Sequence, residues 1–172
     1  IAGGVALNCV SMGKIFDWFP QIKGVYVPPV PYDAGLSIGS AQYLYHHVMG
    51  NERVVWDENS TPYLGKTYDL ESIRESLSEK QEEIEWVEAG DDDVLDLLAT
   101  KNIISVFGGG SESGRRALGN RSILADPRHA DMKDIINEKV KHRQSFRPFA
   151  PSILREEVKN WFVHDIDSPY MN

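Results

Sequence analysis

The chain has 172 residues, 41% hydrophobic and 26% charged, an ordinary balance for a globular protein of one domain or two small pieces. Its formal net charge of −8 argues against a surface built as a whole for nucleic acid, because most of it would repel phosphates. A single cysteine, Cys9, rules out internal disulfides and suits a reducing cytoplasm; no apolar run is long enough to span a membrane, and IAGGVALNCV lacks the basic start of a signal peptide.

In chain order, Ile1 to Asn8 reads as the end of an apolar strand meeting a Gly3-Gly4 turn, followed by a helix through ALNCVSMGKIFDWF. Glycines at such a junction allow close approach of a ligand to the backbone, although two glycines also make an ordinary tight turn. GVYVPPVP is β-rich and broken by prolines, which force an extended exit. Asp33 then stands where a helix through residues 34–49 would begin; a helix cap is the simplest role for it there, and a metal or phosphate ligand the other. His46 and His47 are adjacent, so on a helix they diverge by about 100° and do not chelate one ion together.

Residues 50–66 carry turn formers and no sustained period, which reads as a linker, and its Asn59-Ser60-Thr61 sequon reads as accidental. Residues 69–89 are expected to form an acidic amphipathic helix with Leu70, Ile73 and Leu77 on one side. A second helix starts at Asp91-Asp92-Asp93, whose carboxylates complement the positive helix end. IISVF (103–107) is expected as a short buried strand ended by Gly108-Gly109-Gly110, and SILAD as another strand. The glycine loop is neither a Walker A motif, since Arg115-Arg116 stands in place of Lys-Ser/Thr, nor a dinucleotide fingerprint, since Ser113 occupies the third glycine position. Pro127 opens a helix through MKDIINEKV with Met132, Ile135, Ile136 and Val140 inward, and REEVKNWF is a last short helix.

The charge is unevenly spread. Between Arg115 and Arg147 lie nine of the 18 basic residues against four of the 26 acidic ones. Arg forks bind phosphate oxygens bidentately and Lys adds a mobile charge, so the segment reads as a cradle for a small anion. The alternatives are surface cations paired with the acidic 69–89 helix, or an RNA-binding module using the stripe 115–147. The latter has only Phe146 and Phe149 for base stacking. The region has no Cys and no Ser-His-Asp set in a plausible order, which favours electrostatic stabilisation of an activated substrate over nucleophilic catalysis.

AGGVALN (2–8), VPPVPYDAGLSIGSA (27–41), RALGNRSILADPR (116–128), KVKHRQSFRPFAPSIL (139–154) and SPYM (168–171) resemble, in order, the motifs of the nodulation-factor and antibiotic O-carbamoyltransferases. The resemblance implies an α/β fold of mixed α+β character: the tail of an actin/Hsp70-like ATPase-fold domain (1–50), a linker (51–66) and the start of a domain similar to threonylcarbamoyl-adenylate synthase (67–172). It implies ATP and carbamoyl phosphate as substrates, a carbamoyl-adenylate intermediate and a small-molecule hydroxyl acceptor, with no membrane or nucleic-acid partner. By motif, Gly3, Gly4 and Asn8 would belong to the adenosine-binding turn and Asp33 would bind a divalent, iron-type metal. Arg116, Lys141 and Arg147 would hold carbamoyl phosphate, with Arg121 and Arg143 in support. Two positions depart from the family pattern: Gly110 replaces an Arg, which is expected to loosen the loop, and Arg115 replaces a Pro. The missing upstream His pair and downstream remainder read as those of a fragment, which is not expected to turn over alone.

Overall fold

A computed structural model describes residues 1–55, 62–163 and 167–171; the Asn59–Thr61 sequon lies outside them. The chain is mixed, with short helices and a two-stranded antiparallel sheet. It divides into two compact units that interleave in sequence: Ile1–Lys66, Gly109–Asn120 and Asp167–Asn172 make the first, Thr67–Gly108 and Arg121–Ile166 the second. Among the described residues no helix is long and apolar enough to cross a membrane.

In the first unit, the helix expected over residues 6–19 is broken. A 3₁₀ turn at Gly4–Leu7 is followed by α1 (Cys9–Gly13) and α2 (Ile15–Trp18). The break at Asn8 is local chemistry: its side chain caps α1 by accepting from the Ser11 N–H at 3.1 Å, which requires non-helical backbone at the cap. Ala6, Ile15, Val27, Val30 and Tyr170 are buried and make a small core. Helix α3 (Gly35–Gln42) runs on as a π-helical segment, Tyr43–Val48, rather than as α-helix throughout. Asp33 is not its cap. Ala34 precedes the helix, no side chain caps it, and Asp33 contributes only its carbonyl, 3.1 Å from the Leu36 N–H.

The glycine loop is bound to the segment before it. Gly65 N–H donates to Ser111 O at 2.9 Å, Ser113 N–H to Pro62 O at 2.6 Å, and Leu64 N–H to the Ser113 hydroxyl at 3.2 Å. Gly110 permits this closeness, because a Cβ there would lie 2.5 Å from the Tyr63 carbonyl oxygen. The loosening expected at Gly110 is therefore not found; the absent side chain lets two backbones approach. Glu112 braces the rest of the loop, its carboxylate accepting from the N–H groups of Leu118 (2.8 Å) and Asn120 (2.9 Å).

In the second unit, Asp69 caps α4 (Leu70–Glu79) by accepting from Ser72 N–H at 2.8 Å; the Ser72 side chain, and next that N–H, hold its carboxyl below the ordinary carboxylate value. The helix stops ten residues short of the expected end at 89. Further turns would have placed Glu82, Glu83 and Glu85 at the negative pole of the helix dipole. Helix α5 (Asp91–Ala99) begins where the acidic triplet placed it, with Asp93 accepting from Gly90 N–H at 2.8 Å.

Strands β1 (Ile104–Phe107) and β2 (Arg121–Leu124) pair antiparallel, with Ile104 opposite Leu124 and Phe107 opposite Arg121. β1 is half-buried rather than buried: Ser105 and Phe107 face outward, as two strands leave one sheet face uncovered. Helix α6 (Met132–Ile135) starts five residues after Pro127 and continues as a second π-helical segment, Ile136–Val140. Met132 and Ile136 are buried as expected, whereas Val140 is exposed and Asn137 is fully buried. A 3₁₀ turn (Arg155–Glu157) and α7 (Val158–Trp161) follow.

Candidate anion-binding site

The residues singled out from sequence fall into two groups, one in each unit. In the first unit are Gly3, Gly4, Asn8, Asp33 and Arg116; in the second are Arg121, Lys141, Arg143 and Arg147.

In the first group, Gly3 has φ 97°, a conformation that disfavours any side chain, and its N–H donates to Pro31 O at 2.6 Å. Space above Gly3 and Gly4 is open, since a Cβ on either would meet nothing within 4 Å. Asn8 spends its side-chain oxygen on the α1 cap, leaving its amide nitrogen without an acceptor among the described residues. Arg116 is joined to this turn through Nη2, 3.1 Å from Leu7 O. Its Nε is buried with no acceptor among the described residues, a costly state for a charged donor unless something else binds there. Arg115 lies over the Tyr32 ring, 4.7 Å from the centroid, a cation–π contact the usual proline could not make.

The turn is open, and Asn8 and Arg116 keep donors that nothing among the described residues takes up. A metal is a different matter. Among the described residues no three His, Cys, Asp or Glu groups are arranged to hold one, and Asp33 alone offers a single exposed carboxylate. Among the described residues the donors do not make a metal site.

In the second group, Arg121 is committed to the fold. Its guanidinium lies 3.8 Å from the Phe107 ring centroid and Nη1 donates to Gly108 O at 2.6 Å. Lys141, Arg143 and Arg147 share the loop that leaves the second π-helical segment. Lys141 N–H reaches Ile136 O, five residues back, and Arg143 N–H reaches Asn137 O, six back. Between them His142 has φ 47°, a left-handed conformation that costs a residue with a Cβ free energy and marks a sharp reversal of the chain. Lys141 and Arg147 are exposed.

The alternative in which these cations neutralise the acidic helix is not what the structure shows. Helix α4 pairs with its own neighbourhood, Arg74 with Glu88 and Lys80 with Glu83 at 2.8 Å. Arg128 pairs with Asp126 and Lys133 with Asp134. Arg116, Lys141, Arg143 and Arg147 have no carboxylate partner among the described residues. Nor is the RNA-binding alternative favoured, since the Phe149 ring is covered by the Arg143 guanidinium at 4.7 Å.

The Carbamoyltransferase C-terminus family profile matches residues 95–172. Over those residues the chain carries a carbamoyltransferase C-terminal domain. It is 41% identical over 177 aligned positions to an uncharacterized protein of Synechocystis, covering 99% of the chain and 29% of that protein. It is 38% identical over 171 positions to the nodulation protein NolO of Bradyrhizobium diazoefficiens, covering 94% and 30%. With the 3′-hydroxymethylcephem-O-carbamoyltransferase of Amycolatopsis lactamdurans it shares 29% identity over 171 positions, covering 99% and 31%. The chain thus spans about three tenths of the length of the curated relatives it matches.

Sequence reasoning missed Glu112 and Asn137. Glu112 was visible as the acidic residue inside the glycine loop, the natural acceptor for N–H groups in a tight turn. Asn137 gave no periodic signal, because in an α-helix it would sit about 100° from the inward Ile136.

Proposed function

We propose that the chain is part of an O-carbamoyltransferase that uses ATP and carbamoyl phosphate and transfers the carbamoyl group to the hydroxyl of a small-molecule acceptor. The observation that carries this reading is charge left over. With 26 acidic residues against 18 basic ones, Arg116, Lys141, Arg143 and Arg147 still lack a carboxylate partner among the described residues. Cations left uncompensated in an acidic chain suit an anionic ligand, and the cephem relative is by name an O-carbamoyltransferase.

In this reading Lys141 and Arg147 bind the phosphoryl oxygens of carbamoyl phosphate and spread the charge that grows as phosphate leaves the carbamoyl carbon. Arg143 supports them; for Arg116 the motif gives a phosphate role too, and its spare buried Nε leaves a donor for one. The Gly3-Gly4 turn and Asn8 take the adenosine part of ATP. Water displaces the phosphate of carbamoyl phosphate to leave carbamate, whose oxygen attacks the α-phosphorus of ATP with loss of pyrophosphate, and the resulting carbamoyl-adenylate passes its carbamoyl group to the acceptor hydroxyl with release of AMP. Residues 1–50 would be the tail of an actin/Hsp70-like ATPase-fold domain, and residues 67–172 the start of a domain similar to threonylcarbamoyl-adenylate synthase. A cytoplasmic setting belongs to the same proposal, resting on the lone free Cys9. The divalent metal that the resemblance implies at Asp33 would need donors beyond the described residues.

Calorimetric titration of the chain with carbamoyl phosphate tests the assignment. Weak binding that falls with added salt and is lost in Arg147→Ala is expected; equal affinities for the two proteins would overturn it.

A further inference from the structure

Asn137 is the most completely buried polar side chain in the described structure, with no exposed surface, and every bond it makes goes to the basic loop. Its amide nitrogen donates to the carbonyls of Arg147 (3.0 Å) and Ser145 (3.3 Å). Its amide oxygen accepts from Arg143 Nε at 2.7 Å, and its own carbonyl accepts the Arg143 N–H at 2.9 Å. One residue therefore fixes both ends of the 143–147 loop. The left-handed backbone at His142 and the π-helical turn that brings Asn137 inward are both local departures from regular helix, of the kind that gathers at functional sites.

The consequence falls on Arg143. Its Nε edge is held by Asn137 and its face by Phe149, while its two terminal nitrogens have no acceptor among the described residues. Arg143 borders a groove of about 520 Å³ whose other lining residues are Asp134, Glu138, His142, Gln144 and Ser145. We propose that Asn137 is the positioning residue of the anion site, holding Arg143 in the one orientation in which its terminal nitrogens meet the phosphoryl group. Fixing a guanidinium before the ligand arrives removes the entropy of ordering it, and the planar fork then meets phosphate bidentately. Asp134 and Glu138 line the same groove, so the anion is held against two carboxylates and binding is weak and salt-sensitive.

This inference rests on the reading of Lys141 and Arg147 as phosphate ligands, and the test separates the two. Inorganic phosphate is titrated into the wild type, Arg147→Ala, Arg143→Lys, Asn137→Ala and the Arg143→Lys/Asn137→Ala double variant, each below its measured melting temperature. Arg143→Lys keeps the charge and Asn137 but loses Nε and the fork. About a tenfold loss of affinity is expected for each single variant, with the double variant no weaker than either of the last two. Loss in Arg147→Ala with wild-type affinity in Arg143→Lys overturns the role of Asn137 and Arg143 alone, and does so even if Asn137→Ala does not fold. Additive losses in the double variant overturn the coupling between them. No loss in Arg147→Ala, or no binding by the wild type, overturns both readings.

Discussion

Replacing Gly110 by alanine probes the contact that holds the glycine loop, and Gly108 two residues away serves as its control. Both glycines lie outside the left-handed region, so alanine strains neither backbone by its φ. In both, the methyl group lowers the entropy of the unfolded chain and stabilises the fold by about 0.4–1 kcal/mol. At Gly108 nothing lies within 4 Å of the new Cβ, so that gain stands. At Gly110 the Cβ would sit 2.5 Å from Tyr63 O, with Tyr63 C at 3.3 Å and Gly65 O at 3.4 Å. The nearest atom is backbone and cannot rotate away, so the pairing of Gly65 with Ser111 must open. Overpacking of this kind costs about 1–3 kcal/mol, which separates the two variants by the same amount. For a chain of this length that is a difference of about 2–12 °C in melting temperature, read by far-UV circular dichroism. An Arg at this position, the residue the family pattern leads one to expect, brings the same Cβ and the same clash. If Gly110→Ala melts at or above Gly108→Ala, the close approach of the two segments is wrong.

Two further outcomes follow from the second unit. The Arg128 side chain, and next its backbone N–H, hold the Asp126 carboxyl at a pKa of about 2, below the ordinary 3.8. A depressed carboxylate stabilises the fold above its unfolded pKa and loses that contribution as pH falls through the folded one. Wild type and Asp126→Asn should therefore differ in urea midpoint above pH 4 and converge near pH 2; parallel curves over that window would show the ion pair to be irrelevant. Ile136 is 6% exposed and, like Met132 four residues before it, buried in the second unit. Ile136→Ala is expected to lose about 2–5 kcal/mol in chemical denaturation and Ile136→Val about 0.5–1.5 kcal/mol, and equal losses would mean that the site collapses around the change.

What local chemistry alone sets was open to reading in the sequence. The acidic triplet at 91–93 starts a helix because carboxylates meet free N–H groups there, whatever the rest of the chain does. The first three residues of the expected SILAD strand are strand, with Arg121 ahead of them, and the basic surplus between Arg115 and Arg147 is a property of composition. The motifs pointed to the carbamoyltransferases before any contact was known. The tertiary structure decided what each cation does with its charge. Arg121 and Arg143 look alike in sequence, yet Arg121 is spent on Phe107 and Gly108, whereas Arg143 is anchored by its Nε edge and its face and keeps its terminal nitrogens without an acceptor among the described residues. Only folding could assign residues 109–120 to the same unit as residues 1–66, since backbone pairing between distant segments leaves no periodic trace. The same holds for Asn137. A period of 3.6 turns it away from the core, and only the wider π-helical turn, stabilised by the loop it binds, brings that amide inside.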